Sequence, residues 1–494
     1  MLNHLPILQV ILPLLAAPAC LILDRPRLAW LFASAVCLLS LAISIVLVQQ
    51  VNAGGAISYL LGGWDAPWGI EYRIDKLSAY VLLVVSGIAA LTVLAAHTSI
   101  VRELDTAQQP AFYVLFLLCL AGLLGIVATG DVFNIFVFLE ISSLATYALI
   151  ALGKDRRSLW AAYQYLIVGT IGATFFLIGI GLLYSIAGTL NIADLNQRLG
   201  DPQYTGVTTA AFAFIVVGIF LKLALFPLHG WLPNAYAYAP SIVTAFLAAT
   251  ATKVALYLLM RMHFSVFGTV VTVASVPLNT ILLALGLAAV LAASLVAIQQ
   301  THVKRLFAFS SIAQIGYMVI GMGLGNVLGL QAALLHLFNH ALMKGALFLA
   351  IAAVVYRLGS AELKTFKGLG QVMPWTMAAI VIGGLSLIGV PLTVGFVSKW
   401  YLVMGALEAG LWPVAVLVLI GSLLALVYIW KLVEVAYFAE PEQPHASAAH
   451  GEAPLALLIP IWLLALANIY LGIDTDLTVG LSGGAAELLM EGVR

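Results

Sequence analysis

Charge is scarce in this chain. Of 494 residues, 21 are Lys or Arg and 21 are Asp or Glu, 9% in all, with a formal net charge of zero. A soluble domain carries roughly 25% charged residues, so a water-soluble globule is excluded. A zero balance also argues against a nucleic-acid partner. Cysteine is as sparse. Cys20, Cys37 and Cys119 fall inside apolar runs with neither CxxC nor metal-ligand spacing, and read as small packing residues. No iron–sulfur, flavin or nucleotide motif is visible, so no cofactor is expected and no redox chemistry of the chain's own. The first apolar run lacks a basic leader and a small-residue cleavage site, so no signal peptide is expected.

What the chain has in plenty is apolar length: 63% of its residues are hydrophobic. Fourteen runs approach the ~20 residues that cross ~30 Å of hydrocarbon. They lie near 5–23, 27–49, 76–99, 109–128, 130–152, 160–188, 206–228, 239–262, 275–299, 305–323, 327–356, 374–409, 411–438 and 453–473. The seventh ends in Phe226-Pro227-Leu228-His229-Gly230-Trp231-Leu232-Pro233, and two prolines there forbid a continuous helix. The twelfth contains Gly389-Val390-Pro391 and Gly395 and is expected to break in its middle. Broken helices at membrane depth are tolerated only where protein or a watery cavity surrounds them.

Loops after odd-numbered spans hold about eleven Lys and Arg, including Lys154, Arg156, Arg157, Lys304, Arg305, Lys364 and Lys367, against about four in the others. The basic loops are therefore expected to be cytoplasmic and both termini outside. The loop at about 440–452, with Glu440, Glu442, His445, His450 and Glu452, reads as a solvated acidic linker.

Spans four to eight resemble spans nine to thirteen. Ser142-Ser143-Leu144-Ala145 answers Ser310-Ser311-Ile312-Ala313, and Phe176, Leu177 and Tyr184 answer Phe348, Leu349 and Tyr356. Lys222 beside the first break answers Lys399 beside the second, and Lys253 answers Lys431. A repeated unit of five spans is odd, so its copies must be inverted, which is a transporter plan. The expected fold is an all-α polytopic membrane protein of about 14 transmembrane helices, with two inverted five-helix repeats and broken helices 7 and 12. Helices 1–3 occupy 1–105, the repeats 106–265 and 266–440, and the acidic loop with helix 14 occupies 441–494.

Five lysines sit inside these spans: Lys222, Lys253, Lys344, Lys399 and Lys431. No arginine is expected there. A charge near the bilayer centre costs at least ~2.5–3.5 kcal/mol on insertion scales, so such residues are rare and usually functional. Arginine cannot release its proton, whereas a buried lysine can. The pattern points to proton movement, or exchange of protons for another cation. Glu140 is the one carboxylate read deep within a span. A nearby anion holds a lysine in its charged form, so parting a Glu140–Lys222 pair would release a proton. The structural alternatives are a neutral carboxyl packed in a helix interface and an ammonium snorkelling outward. His336, His340 and Lys344 sit at i, i+4 and i+8, one helix stripe covering ~12 Å. That stripe suits a proton wire, since histidine titrates near neutrality. A metal or haem reading lacks further ligands in neighbouring spans. Lys399 suits an outer end of the path. Lys431 has Glu434 at i+3, which reads equally as a local ion pair. His229 reads as a water gate or as a cap for carbonyls freed by the break.

Phe220-Leu221-Lys222 through Pro233, Ala239-Pro240-Ser241 through Lys253, Lys304-Arg305-Leu306 through Tyr317, and His336 through Lys344 together resemble the proton-conducting antiporter family. That family includes the antiporter-like subunits of respiratory complex I, membrane-bound hydrogenases and Mrp-type multisubunit Na⁺/H⁺ antiporters. The resemblance spans about residues 75–440. Tyr236-Ala237-Tyr238-Ala239-Pro240 and Thr244-Ala245-Phe246-Leu247 resemble the D-type subunit of the Mrp branch, whereas a lysine in helix twelve resembles both that subunit and the smallest of the complex I antiporter-like subunits. Pro391-Leu392-Thr393-Val394-Gly395-Phe396 departs from a frequent family wording with a second proline and Ser-Gly-Phe. The resemblance implies a polar axis through Glu140, Lys222, Lys253, Lys344 and Lys399, supported by His229, His336, His340 and Lys431. It also implies other antiporter subunits as partners, protons and Na⁺ or another monovalent cation as cargo, and a bacterial inner membrane as the location. A redox-driven pump subunit, a non-conducting scaffold and an organic-solute carrier are the rival readings.

Overall fold

A computed structural model describes residues 2–23, 25–199, 204–268, 276–440 and 451–491. Thirteen helices among them are long and apolar enough to cross a membrane. They are α1 (Leu5–Ile22), α2 (Pro26–Gly54), α3 (Lys76–Glu103), α4 (Gln109–Ala128), α5 (Val132–Ala151), α6 (Arg157–Ala187), α8 (Thr205–Leu223), α10 (Ser241–Met260, prolonged by a π-helical stretch Arg261–Phe267), α11 (Leu278–Gln299), α12 (Val303–Gly323), α13 (Val327–Leu358), α16 (Trp412–Tyr437) and α17 (Leu455–Ile473). The short α7 (Ile192–Arg198) and α9 (Leu232–Tyr238) flank α8 in sequence. The twelfth apolar run is split into two shorter helices, α14 (Pro374–Ile388) and α15 (Val394–Glu408), and α18 (Asp476–Glu491) follows the last span. Long helices satisfy their own backbone groups, as lipid demands. Asp75, Asp131, Asn191 and Asn326 cap the starts of α3, α5, α7 and α13.

Both expected breaks form. After α8 the chain turns at Ala224 (φ 56°) and Pro227 before α9 resumes. Between α14 and α15 it turns at Gly389 (φ 90°), and Leu392 also takes a positive φ of 69°. The half-helices touch so closely that a Cβ at Gly395 would run into the Ser386 carbonyl.

The repeat is visible in backbone bonds. Val132 N–H donates to Leu190 O and Ile192 N–H to Gly130 O, each at 2.9 Å. Their counterparts 171 residues on are Val303 N–H to Ala361 O (2.8 Å) and Leu363 N–H to Thr301 O (2.7 Å). Gly188 and Gly359, at the same offset, end α6 and α13 in the left-handed region. Helix packing repeats too. α4–α5, α5–α6, α6–α8, α8–α10 and α4–α10 correspond to α11–α12, α12–α13, α13 with α14 and α15, these two with α16, and α11–α16. Asp131 starts α5, whose far end at Gly153–Lys154 shares a pocket with His302. The two backbone clasps thus lie on opposite faces, as inversion requires.

Arg157, Arg305, Lys364 and Lys367 line one pocket, so the loops after spans five, nine and eleven form a single basic face.

Several expectations need correction. The Ser142-Ser143 pair lies one helical turn out of register with Ser310-Ser311 relative to the starts of α5 and α12. Lys222 precedes its break whereas Lys399 follows the other, so they are not equivalent positions. An arginine does sit inside a span: Arg261 is buried in the π stretch and donates to Asp75 Oδ2 and Oδ1 at 2.7 and 2.8 Å. The fold also contains a small antiparallel hairpin, β1 (Ile57–Leu60) with β2 (Glu71–Ile74). Of the acidic loop, 441–450 lie outside the described residues. Glu452 is not a free linker residue: it accepts from the Trp375 N–H and the Thr376 hydroxyl at the start of α14.

Candidate functional site

Four lysines of the five are buried: Lys253 and Lys344 completely, Lys222 and Lys399 with 8% and 7% exposure. α5 and α8 set the first pair. Lys222 Nζ donates to Ser143 Oγ (2.6 Å) and Tyr147 Oη (3.3 Å), and stands 4.0 Å from Glu140 Oε1. Unit charges at that distance attract by about 4 kcal/mol at an effective dielectric of about 20, and by about 1 in water. Small separations therefore change how firmly Lys222 holds a proton. Gly169 of α6 makes room for both side chains; a Cβ there would strike the Tyr147 hydroxyl and come within 3.3 Å of Lys222 Nζ. A cavity of about 40 Å³ lies between Lys222, Ser143 and the α10 residues Ala251, Val254 and Ala255. A water needs about 10–15 Å³ of such volume, so about three fit between Lys222 and the helix that carries Lys253.

Lys253 Nζ donates to the Ala248 carbonyl and to Thr252 Oγ1. Packing of α10 on α13 brings it within electrostatic reach of Lys344, His340 and His336. Lys344 Nζ donates to the Phe307 carbonyl (2.8 Å) and to Ser310 Oγ, with the Phe307 and Phe348 rings beside it. The expected stripe on α13 forms: the His336 and His340 rings stack at 6.1 Å and 7°. His336 bridges two helices, Nε2 to Gln314 Oε1 on α12 and Nδ1 to Ser398 Oγ on α15, each at 2.8 Å. Among the described residues, both nitrogens of the buried His340 lack a hydrogen-bond partner, and so does Glu140 Oε1, which the Lys222 ammonium approaches only to 4.0 Å. Buried polar atoms of this kind are costly unless water or a proton visits them.

Lys399 follows Ser398 directly. Its Nζ donates to the Leu387 and Ile388 carbonyls and to Ser422 Oγ at 2.8–2.9 Å, and lies 4.7 Å over the Tyr317 ring. Three acceptors match the three donors of an ammonium, and two of them are the electron-rich C-terminal carbonyls of α14.

His229 sits at the first break, its ring stacked on Phe226 and edge-on to Phe309 of α12, with Nδ1 buried and without a hydrogen-bond partner among the described residues. Lys431 is placed apart from the others. Its ammonium goes to the Ile298 and Gln300 carbonyls (2.8 and 3.0 Å) at the end of α11, on the basic face, rather than to Glu434. The structure thus joins Glu140 to Lys222, and Lys253, Lys344, His340, His336 and Lys399 in one row. Sequence reading missed Ser143, Tyr147, Gln314, Ser398 and Ser422 as partners. Their only signal was a hydroxyl or amide inside an apolar run.

Residues 129–425 match the family model described as NADH:quinone oxidoreductase/Mrp antiporter, transmembrane. The chain is 43% identical over 492 residues to the N-type subunit of an NADH-quinone oxidoreductase from Desulforudis audaxviator, covering 96% of each. It is 30% identical over 475 residues to the D-type subunit of a Na⁺/H⁺ antiporter from Alkalihalophilus pseudofirmus, covering 96% of this chain and 94% of that one. A chain of the Mrp complex from a Dietzia species superposes with a TM-score of 0.90 at 27% identity, over 100% of this chain and 99% of that one.

Proposed function

From the premise that this chain belongs to the NADH:quinone oxidoreductase/Mrp antiporter transmembrane family, we propose that it is the proton-translocating subunit of a multisubunit Na⁺/H⁺ antiporter. The observation that carries the reading is the row of buried amines and imidazoles held by oxygens. Carbonyl and hydroxyl oxygens accept from an amine as well as from an ammonium, so each lysine can change protonation without rebuilding its surroundings. Protons pass along Glu140, Lys222, Lys253, Lys344, His340, His336 and Lys399 with water in the gaps. Separation of Glu140 from Lys222 releases the first proton, and repulsion from a charged neighbour sends it onward. The basic face is cytoplasmic, both termini are outside, and other membrane subunits of the complex flank the chain in the cell membrane.

A second reading is favoured by the 43% identical relative, whose name is that of a quinone-reducing complex. There the same row would be driven by electron transfer in partner subunits. Everted vesicles from an antiporter-deficient bacterium carrying the whole operon separate the two. For an antiporter, Na⁺ collapses a pre-formed ΔpH in wild type, and the ΔpH persists with Lys222→Ala although the complex assembles. If Na⁺ has no effect while electron donors build a Lys222-dependent ΔpH, the redox-driven reading replaces it. Full transport by Lys222→Ala would sink both.

A further inference from the structure

A second polar file runs from the basic face to Lys253. Glu103 closes α3 and lines a pocket of about 470 Å³ on that face. Its carboxylate accepts from the Ser99 hydroxyl (2.8 Å), the Ser241 N–H (2.8 Å) and the Ser241 hydroxyl (3.0 Å). Ser241 opens α10, and Ser241, Thr244, Ala248 and Thr252 follow one another at three, four and four residues, which is one stripe of the helix. Oxygen lines the stripe throughout. The Thr244 hydroxyl donates to the Tyr236 carbonyl (2.9 Å), and the Tyr236 hydroxyl reaches the Leu247 carbonyl (3.4 Å) and the Thr252 side chain. Lys253 then ends on the Ala248 carbonyl and Thr252. The file climbs eleven residues, about 16 Å, into the membrane. Its hydroxyls are buried, so they serve neither lipid nor bulk water.

We propose that Glu103 is the proton-collecting group of the basic face for Lys253. The inference rests on the reading of the chain as a proton-translocating subunit. Glu103 takes a proton from pocket water and gives it to water ordered along Ser241, Thr244, Tyr236 and Thr252. The Lys253 amine accepts it and becomes an ammonium. Lys304 holds the Ala239 carbonyl (3.0 Å) and its charge faces Glu103, so the two side chains clasp the link between α9 and α10. The pocket's other charged groups are Arg102 on the same helix, Lys154 and Asp155 between α5 and α6, Arg157 opening α6, and Arg357 near the end of α13, with the phenols of Tyr238 and Tyr356. Asp155 is already engaged by Arg157 Nε at 2.8 Å. Burial, then Lys304, pushes the His302 imidazole down to about 4, so it stays neutral from pH 6 to 9. Glu103 is therefore the carboxylate that both opens to the pocket and touches the file.

The test uses the whole complex in everted vesicles, under whichever drive, Na⁺ or an electron donor, changes ΔpH in wild type. Glu103→Gln keeps an acceptor for the Ser241 N–H cap and cannot collect a proton. It is expected to slow ΔpH formation or collapse by on the order of tenfold or more, with complex assembly unchanged. Glu103→Asp should retain flux with a displaced pH profile, whereas His302→Gln should leave the profile in place. Wild-type rate and profile in Glu103→Gln would overturn the inference. If the Gln variant does not assemble, Glu103→Asp decides: a displaced profile supports the route, an unchanged one refutes it. Lys222→Ala in the same vesicles separates the two ideas. A silent Lys222→Ala beside a wild-type Glu103→Gln removes this uptake route alone, and an active Lys222→Ala removes the proton-translocating reading itself.

Discussion

At the residue scale, the buried lysines differ in what holds them. Of the four buried lysines in the row, and among the described residues, Lys222 faces a carboxylate, at 4.0 Å, while Lys253, Lys344 and Lys399 face carbonyls and hydroxyls. The lone carboxylate makes the Lys222 position the one where a small displacement changes a charge. Gly169 guards it. Gly169→Ala is expected to push the Tyr147 hydroxyl off Lys222 and lower coupled transport by on the order of tenfold or more, with unchanged amounts of complex. Adding Tyr147→Phe removes the clashing oxygen and should restore part of the rate. A double variant no better than Gly169→Ala would show that the glycine acts by another route.

At the scale of elements, the breaks and the π stretch decide what stays inside. The break in the twelfth span turns the C-terminal carbonyls of α14 onto Lys399. The π stretch after α10 swings Arg261 onto Asp75, so a guanidinium and a carboxylate are buried together and tie α10 to α3. Removing one member of such a pair strands the other, at a cost of roughly 3–5 kcal/mol. Asp75→Asn keeps an acceptor for the Ser78 N–H and loses only the charge. The purified complex should therefore unfold at a clearly lower temperature with Asp75→Asn. Asp75→Asn with Arg261→Met should regain most of the loss, because no stranded charge remains. Equal melting of wild type and the single variant would show that this pair carries no net stability.

For the whole molecule, two inverted units stand with their clasps on opposite faces. One clasp meets Glu71 and Asn191, the other His302 and Glu362. Only the second lies on the basic face. The proposed orientation follows from that asymmetry and can be read by labelling. Cys20, Cys37 and Cys119 are buried and should not react. A membrane-impermeant maleimide should then label Lys364→Cys in everted vesicles and Asp476→Cys in intact cells. The opposite pattern would turn the molecule over.

The sequence alone determined the helices, because apolar length, prolines and caps act locally and lipid leaves the backbone few alternatives. It placed both breaks within a few residues, and it supplied Glu140, Lys222, Lys253, Lys344, Lys399 and the stripe of His336 and His340. A charged or imidazole group inside an apolar run is conspicuous whatever surrounds it. It could not say what surrounds it. Lys431 looked like Lys253 from spacing, yet it caps the end of α11, because helix rotation and neighbours choose the partner. Arg261 was overlooked at the edge of a span, and only the approach of α3 makes it a buried pair. The file from Glu103 joins three helices at separations of up to 138 residues. Contacts of that kind are set by packing between helices, which no local pattern encodes.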